Sequence, residues 1–194
     1  MLKVGLTGNM GSGKSLVAQV FSVLRVPVYH ADEESKKLLK KPAIIAEIAG
    51  RFGTRVLSIT GEIDRKILAS VVFNDKDRLL ELNALLHPMV REDFRSWFVA
   101  QEGSSYIIHE AAIIFESGFR EEFDRIIYVS CPKEISIHRI LLRENTTREE
   151  ILARMKYQWD DNKKAGLSDY LIKNDGNKML LPQVLAIHRQ LQGV

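Results

Sequence analysis

The sequence predicts an α/β fold, a five-stranded parallel sheet flanked by helices, on three observations. Short apolar, β-branched runs alternate with longer stretches of helical period, as expected of parallel strands buried on both faces and joined by helices. A glycine-rich octapeptide, Gly8–Ser15, follows the first of those runs and opens the first helical stretch. Between the second and third runs lie about seventy residues without a convincing strand, far more than a strand-to-helix connection needs, so a helical insertion is expected there.

The strand candidates in order are Lys3–Thr7, Pro27–Tyr29, Tyr106–His109, Arg125–Val129 and Tyr170–Lys173. Within the insertion, Gly61-Glu62 reads as a turn, and Asp64 can cap the helix that follows. Leu79, Leu82, Leu86, Met89 and Val90 then recur at helical spacing, and Phe94, Trp97 and Phe98 continue the stripe, which reads as the core face of a long helix. His87-Pro88 interrupts it; proline removes a helix hydrogen bond and disfavours a helical residue before it, so a kink or break is expected. From Pro132 to about Gly166 the pattern is two helices rich in Arg and Lys. Pro132 suits the first helical position, Asn145-Thr146 makes a break, and Thr147-Arg148-Glu149-Glu150 is a capping box that starts the second helix. The expected division is a nucleotide-binding core of 1–31, 104–131 and 167–194, a helical insertion of 32–103 and a helical lid of 132–166.

Composition narrows the function. The 194 residues suit one core with insertions. With 28 Lys and Arg against 25 Asp and Glu, the basic excess is too small for a nucleic-acid or membrane-surface protein. One cysteine, Cys131, makes no internal disulfide, and ligands at zinc-finger spacing are absent. No apolar run reaches the length of a membrane span, and the first residues do not read as a signal peptide. A cytoplasmic location is expected, with no nucleic acid, membrane or protein partner indicated.

Gly8-Asn9-Met10-Gly11-Ser12-Gly13-Lys14-Ser15 fits G-x-x-x-x-G-K-[ST] in its required strand–loop–helix setting, a P-loop. Glycines let backbone N–H groups turn inward around phosphates, and the following helix adds positive potential. Lys14 should reach the β and γ phosphates, and the Ser15 hydroxyl should ligate Mg²⁺. The loop marks a purine nucleotide site, not a reaction. A GTPase would need N-K-x-D after a strand; Asn162-Lys163-Lys164-Ala165 lacks the Asp and follows no strand.

In an open α/β sheet, ligands gather beyond the carboxyl ends of the strands. Asp32, after the second strand, can accept the proton of an attacking hydroxyl or cap a helix; it suits either role. Glu110, after the third, can hold Mg²⁺ through water or simply end a strand. Glu116 reads as structural. Arg139 and Arg143, four apart on one helix, share a face, as a lid that stabilises a transferring phosphoryl group would require. Their alternative is a solvated surface. His30, His87 and His109 lack metal-site spacing, and Cys131 reads as a buried small residue.

Further segments carry a resemblance. They are Val4–Ser15, His30-Ala31-Asp32, Gly61-Glu62-Ile63-Asp64-Arg65 with Leu68 and Phe73, Leu82-Asn83, His87-Pro88 and Ile113-Ile114-Phe115-Glu116. Arg139, Arg143, Thr147, Glu150, Arg154 and Gln158 extend it, as do Ser168-Asp169 and Asn174-Asp175-Gly176. Together they resemble the dephospho-CoA kinase family nearly end to end. The resemblance implies a P-loop kinase core, a helical lobe that binds dephospho-CoA and a mobile lid. It implies phosphorylation of the ribose 3′-hydroxyl by ATP with Mg²⁺, giving coenzyme A and ADP. Asp32 is then the general base, and Lys14 and Arg139 stabilise the phosphoryl group. ATP contacts run over Gly8, Asn9, Met10, Gly11, Ser12, Gly13, Lys14, Ser15 and Leu16, with Arg143, Asn174 and Gly176; Asp32, Arg65 and His87 meet the acceptor; Ser15 and Glu110 hold the metal. The chain departs from the pattern at His30, where the family carries Asp, at Leu16, where Thr is frequent, and at Glu110-Ala111-Ala112, where Asp and a proline are usual. Two other readings share the loop: a kinase of a nucleoside monophosphate, and a regulator that binds nucleotide without phosphorylating an acceptor.

Overall fold

A computed structural model describes residues 1–72 and 75–193. Phe73 lies outside the described residues. The chain divides into two compact units, Met1–His30 joined to the chain from Phe98 onward, and Ala31–Trp97.

The first unit is built on β1 (Leu2–Thr7), β2 (Val28–His30), β3 (Tyr106–Glu110), β4 (Arg125–Ser130) and β5 (Tyr170–Lys173). All neighbours are parallel, in the order β2-β3-β1-β4-β5. Alternate residues Val4, Leu6, Tyr106, Ile108, Ile127, Val129 and Ile172 pack on α1 (Lys14–Val23) and α9 (Leu180–Gln192) through Val17, Phe21, Val184, Ile187 and Leu191. The residues between them, such as Ile107 and Ile126, are equally buried, so both sheet faces are covered and the strands read as continuous apolar runs.

Strand ends differ from the sequence reading by a residue at functional places. Pro27 precedes β2 because it has no N–H to give the ladder, yet its carbonyl still accepts from Ile108 at 2.9 Å. His30 and Glu110, expected just beyond their strands, form the last rung of β2 and β3 and face each other in register.

Segment 132–166 holds three helices rather than two: α6 (Lys133–Arg143), α7 (Arg148–Met155) and α8 (Asp161–Gly166). Pro132 caps α6 rather than opening it; its ψ of 134° is extended, while its carbonyl accepts from Ser136 at 3.0 Å. Thr147 and Glu150 form the reciprocal capping box at α7. Ile137, Ile140 and Ile151 join α6 to α7, with Met10 packed against them. The third helix starts because the Asp160 side chain accepts from Asn162 and Lys163, a cap that a two-helix reading overlooks.

The second unit comprises α2 (Ala31–Leu38), α3 (Pro42–Phe52), α4 (Arg65–Val72) and most of α5 (Lys76–Val99). The Asp64 carboxylate caps α4 by accepting from Lys66 at 2.9 Å and Ile67 at 3.1 Å. Of the kink or break expected at His87-Pro88, the break does not occur: α5 runs through Pro88. An interior proline costs about 3 kcal/mol. Leu82, Leu85 and Leu86 before it are buried in one cluster with Ile44, Ile48 and Phe52, and Met89 and Val90 after it pack on the same cluster. At about 1.5–3 kcal/mol for each buried large side chain, packing on both sides of the proline outweighs its cost. No described helix is long and apolar enough to cross a membrane.

One polar group sits deep in the sheet layer. His109 is enclosed by the rings of Tyr29, Phe119 and Phe123, at 5.1, 5.2 and 5.0 Å between centroids. Burial pushes its pKa from 6.5 down to about 3. Below pH 6.5 the unfolded chain therefore binds a proton that the folded chain refuses, so stability falls with pH. In urea unfolding, the parent should lose about 1.4 kcal/mol per pH unit more than His109→Phe between pH 6 and pH 4. Parallel pH profiles for the two proteins would contradict a neutral, enclosed imidazole.

Candidate active site

Parallel strands put all their carboxyl ends on one edge, and the loop Gly8–Ser15 crosses that edge between β1 and α1. Two of its glycines are required by crowding as well as by conformation. Gly11 (φ 74°) would drive a Cβ to 2.5 Å from the Ser136 carbonyl oxygen, and Gly13 (φ 89°) would drive one into the Asn174 amide. Among the described residues no side chain caps α1. Its first N–H groups are therefore available to an anion. The Ser12 hydroxyl is buried without a hydrogen-bond partner among the described residues, which suits a phosphate oxygen.

On one side of the loop, Glu110 gathers three partners. It is only 4% exposed, and a carboxylate so far from water needs polar neighbours. The Ser15 hydroxyl donates to its Oε1 at 3.2 Å, and Lys14 Nζ lies 3.3 Å from the same oxygen. Its Oε2 meets His30 Nδ1 at 3.0 Å. The parallel register of β2, β3 and β1 brings these groups together. Ser15 and Glu110 are hard oxygen donors side by side, a set that fits Mg²⁺ sharing its remaining positions with water and phosphate.

On the other side, Asn174 follows β5 and its Nδ2 donates to the Ser12 carbonyl at 2.7 Å. Its Oδ1 accepts from Arg139 Nη2 at 3.3 Å, while Arg139 Nη1 reaches the Cys131 sulfur at 3.4 Å. Arg139, the loop and Asn174 thus form one cluster.

The remaining sequence-derived candidates are carried by several elements. Arg143 is exposed and pairs with Glu144 at 2.6 Å, away from Arg139's partners. Leu16 is half exposed on α1. Gly176 takes a positive φ of 84° in a turn held by the Asp175 carboxylate, which accepts from Asn177 and Lys178. Asp32 is the second residue of α2 and so lies inside the first turn rather than at the cap. Arg65 opens α4, and His87 lies within α5, where burial and then Arg91 lower its pKa.

A third set of groups includes one whose role the sequence reading did not assign, Lys164. Glu116, read as structural, pairs with the fully buried Lys164 and accepts from the Trp159 N–H at 2.8 Å. Lys164 also donates to Asn9 Oδ1, and Gln158 Oε1 accepts from Met10 N–H at 3.0 Å. Burial lowers the pKa of Lys164, against the opposing pull of Glu116. No local signal separates Lys164 from its exposed neighbour Lys163; only burial does.

Comparison with known proteins follows the same lines. The model of the family described as dephospho-CoA kinase matches residues 2–179. A dephospho-CoA kinase of Bacteroides fragilis is 38% identical over 187 residues, 96% of this chain and 91% of the relative. A crystal structure from Thermus thermophilus superposes with a TM-score of 0.85 at 29% identity, covering 98% of this chain and 97% of the other. A dephospho-CoA kinase from Campylobacter jejuni superposes with a TM-score of 0.71 at 26% identity over the same shares.

Proposed function

Because the chain belongs to the dephospho-CoA kinase family, we propose that it transfers the γ-phosphoryl group of ATP to the ribose 3′-hydroxyl of dephospho-CoA, giving coenzyme A and ADP. The observation that carries this reading is the cluster that Lys14 and Ser15 of the glycine loop form with Glu110 at the end of β3. The same reading makes it a cytoplasmic enzyme with two small-molecule substrates.

Phosphoryl transfer proceeds through a loose transition state, so positioning and charge stabilisation dominate. The loop amides and the α1 N-terminus hold the phosphates, and Lys14 follows the β and γ oxygens. Ser15 and Glu110 would hold Mg²⁺, which would supply neutralising charge to the phosphates. Lys14 Nζ lies 3.3 Å from Glu110 Oε1, close enough to move between that carboxylate and the phosphates of a bound nucleotide. Arg139, placed beside Gly13 by Asn174, faces the transferring group. Asp32 takes the proton of the 3′-hydroxyl, and Arg65 and His87 on the helical unit contact the acceptor.

Asp32→Asn should retain ATP binding and lower turnover by about 10²–10⁴-fold, the usual share of a general base. Parental turnover in this variant would remove Asp32 from the chemistry. Arg139→Ala should lower turnover by about 10³-fold while changing ATP affinity by less than about tenfold. Weak ATP binding at undiminished turnover would contradict a role in the transition state. The deciding assay is ADP release with ATP, Mg²⁺ and dephospho-CoA, with mass detection of the product. Release that depends on dephospho-CoA and yields coenzyme A is expected; release with nucleoside monophosphates instead would overturn the acceptor.

A further inference from the structure

Lys164 lies on α8, outside the loop, and is fully buried. Its ammonium has three hydrogens and three acceptors: the Glu116 carboxylate, Asn9 Oδ1 at 2.8 Å and the Ala112 carbonyl at 3.3 Å. This set orients the Asn9 amide. With its oxygen turned to Lys164, its Nδ2 donates to the Trp159 carbonyl at 3.2 Å and to Asp161 Oδ1 at 3.1 Å. The Tyr128 hydroxyl, from β4, donates to the same Asp161 oxygen. Met10, the next loop residue, is held through its N–H by Gln158.

Two consecutive residues at the start of the phosphate loop are therefore gripped by one segment, 158–164, with Lys164 as its buried cation. Stability alone does not account for a charge in this place, because a buried ion pair is often no more stabilising than apolar side chains of equal volume. What the pair supplies instead is direction: a charge with three fixed acceptors permits one orientation of Asn9.

We propose that Lys164 is a positioning residue for nucleotide binding, acting through Asn9 to hold the opening turn of the loop in the conformation that accepts phosphates. This rests on the nucleotide-site reading of the loop and adds a residue that does not itself touch the nucleotide.

The test is calorimetric titration of ADP, together with KM values for ATP and dephospho-CoA. Removing Lys164 alone strands a buried carboxylate, so the variant is Lys164→Met combined with Glu116→Gln. Its ADP Kd and ATP KM should rise by about tenfold or more, while the KM for dephospho-CoA stays within about threefold; a general loss of structure would not divide the two substrates in this way. Asn9→Ala should weaken ADP to a similar degree. Adding it to the paired variant should change little further, since both act through one contact. A folded paired variant with parental ADP affinity overturns the proposal, as does a cycle in which the two effects multiply. If the paired variant does not fold, Asn9→Ala decides, because it leaves the Lys164–Glu116 pair in place; parental ADP affinity there also overturns the proposal. A parent that binds no ADP would instead refute the nucleotide-site reading on which this rests.

Discussion

A loop that turns its backbone amides toward an anion has few of them left to hold its own shape. Such a loop has to be supported from behind by side chains, and much of the first unit is arranged around that need. Asn174 donates to the Ser12 carbonyl. The Gln158 side chain takes the Met10 N–H, and Lys164 fixes Asn9. Asn174 comes from the end of β5, whereas Gln158 and Lys164 come from one segment, 158–164, that runs into α8. The sheet is therefore more than a scaffold; its parallel ends bring the supports to one edge.

The supports are costly for stability. Glu110 and Lys164 are both almost wholly withdrawn from water, where an ion gains little net energy even when paired. Apolar packing elsewhere sustains them. The cluster that the sheet face forms with α1 and α9 contains fourteen buried residues among those described, and burial of that extent carries polar groups that would unfold a smaller core. In the second unit a separate apolar cluster on both sides of Pro88 carries α5 through it.

The basic residues of α6 illustrate how proximity in sequence differs from proximity in space. Arg139 and Arg143 share a helix face, yet one reaches Cys131 and Asn174 while the other is taken by Glu144. Glu144 also binds Arg154 from α7. Its two arginines thus lock the end of α6 to α7, alongside the three buried isoleucines and the capping box, so this helix pair maintains its own shape.

The α/β class, the five strands within a residue or so, the glycine loop and the capping box at Thr147 can be read from the amino-acid order alone. Each of these is written in local chemistry: apolar period, glycine spacing, a hydroxyl three residues before a glutamate. The amino-acid order also marked Lys14 and Ser15, through the motif, and Arg139 together with Arg143, through helical spacing, as candidates for the site. Only the tertiary structure decided that His30 and Glu110 pair across a rung, that Asn174 bridges Ser12 and Arg139, that Arg143 turns elsewhere and that Pro88 sits inside an unbroken helix. Lys164 shows the reason most plainly. It lies one residue from the exposed Lys163, and what makes it different is the removal of water by β4, Glu116 and the loop. Desolvation depends on segments far apart in the chain, so no pattern of neighbouring residues records it.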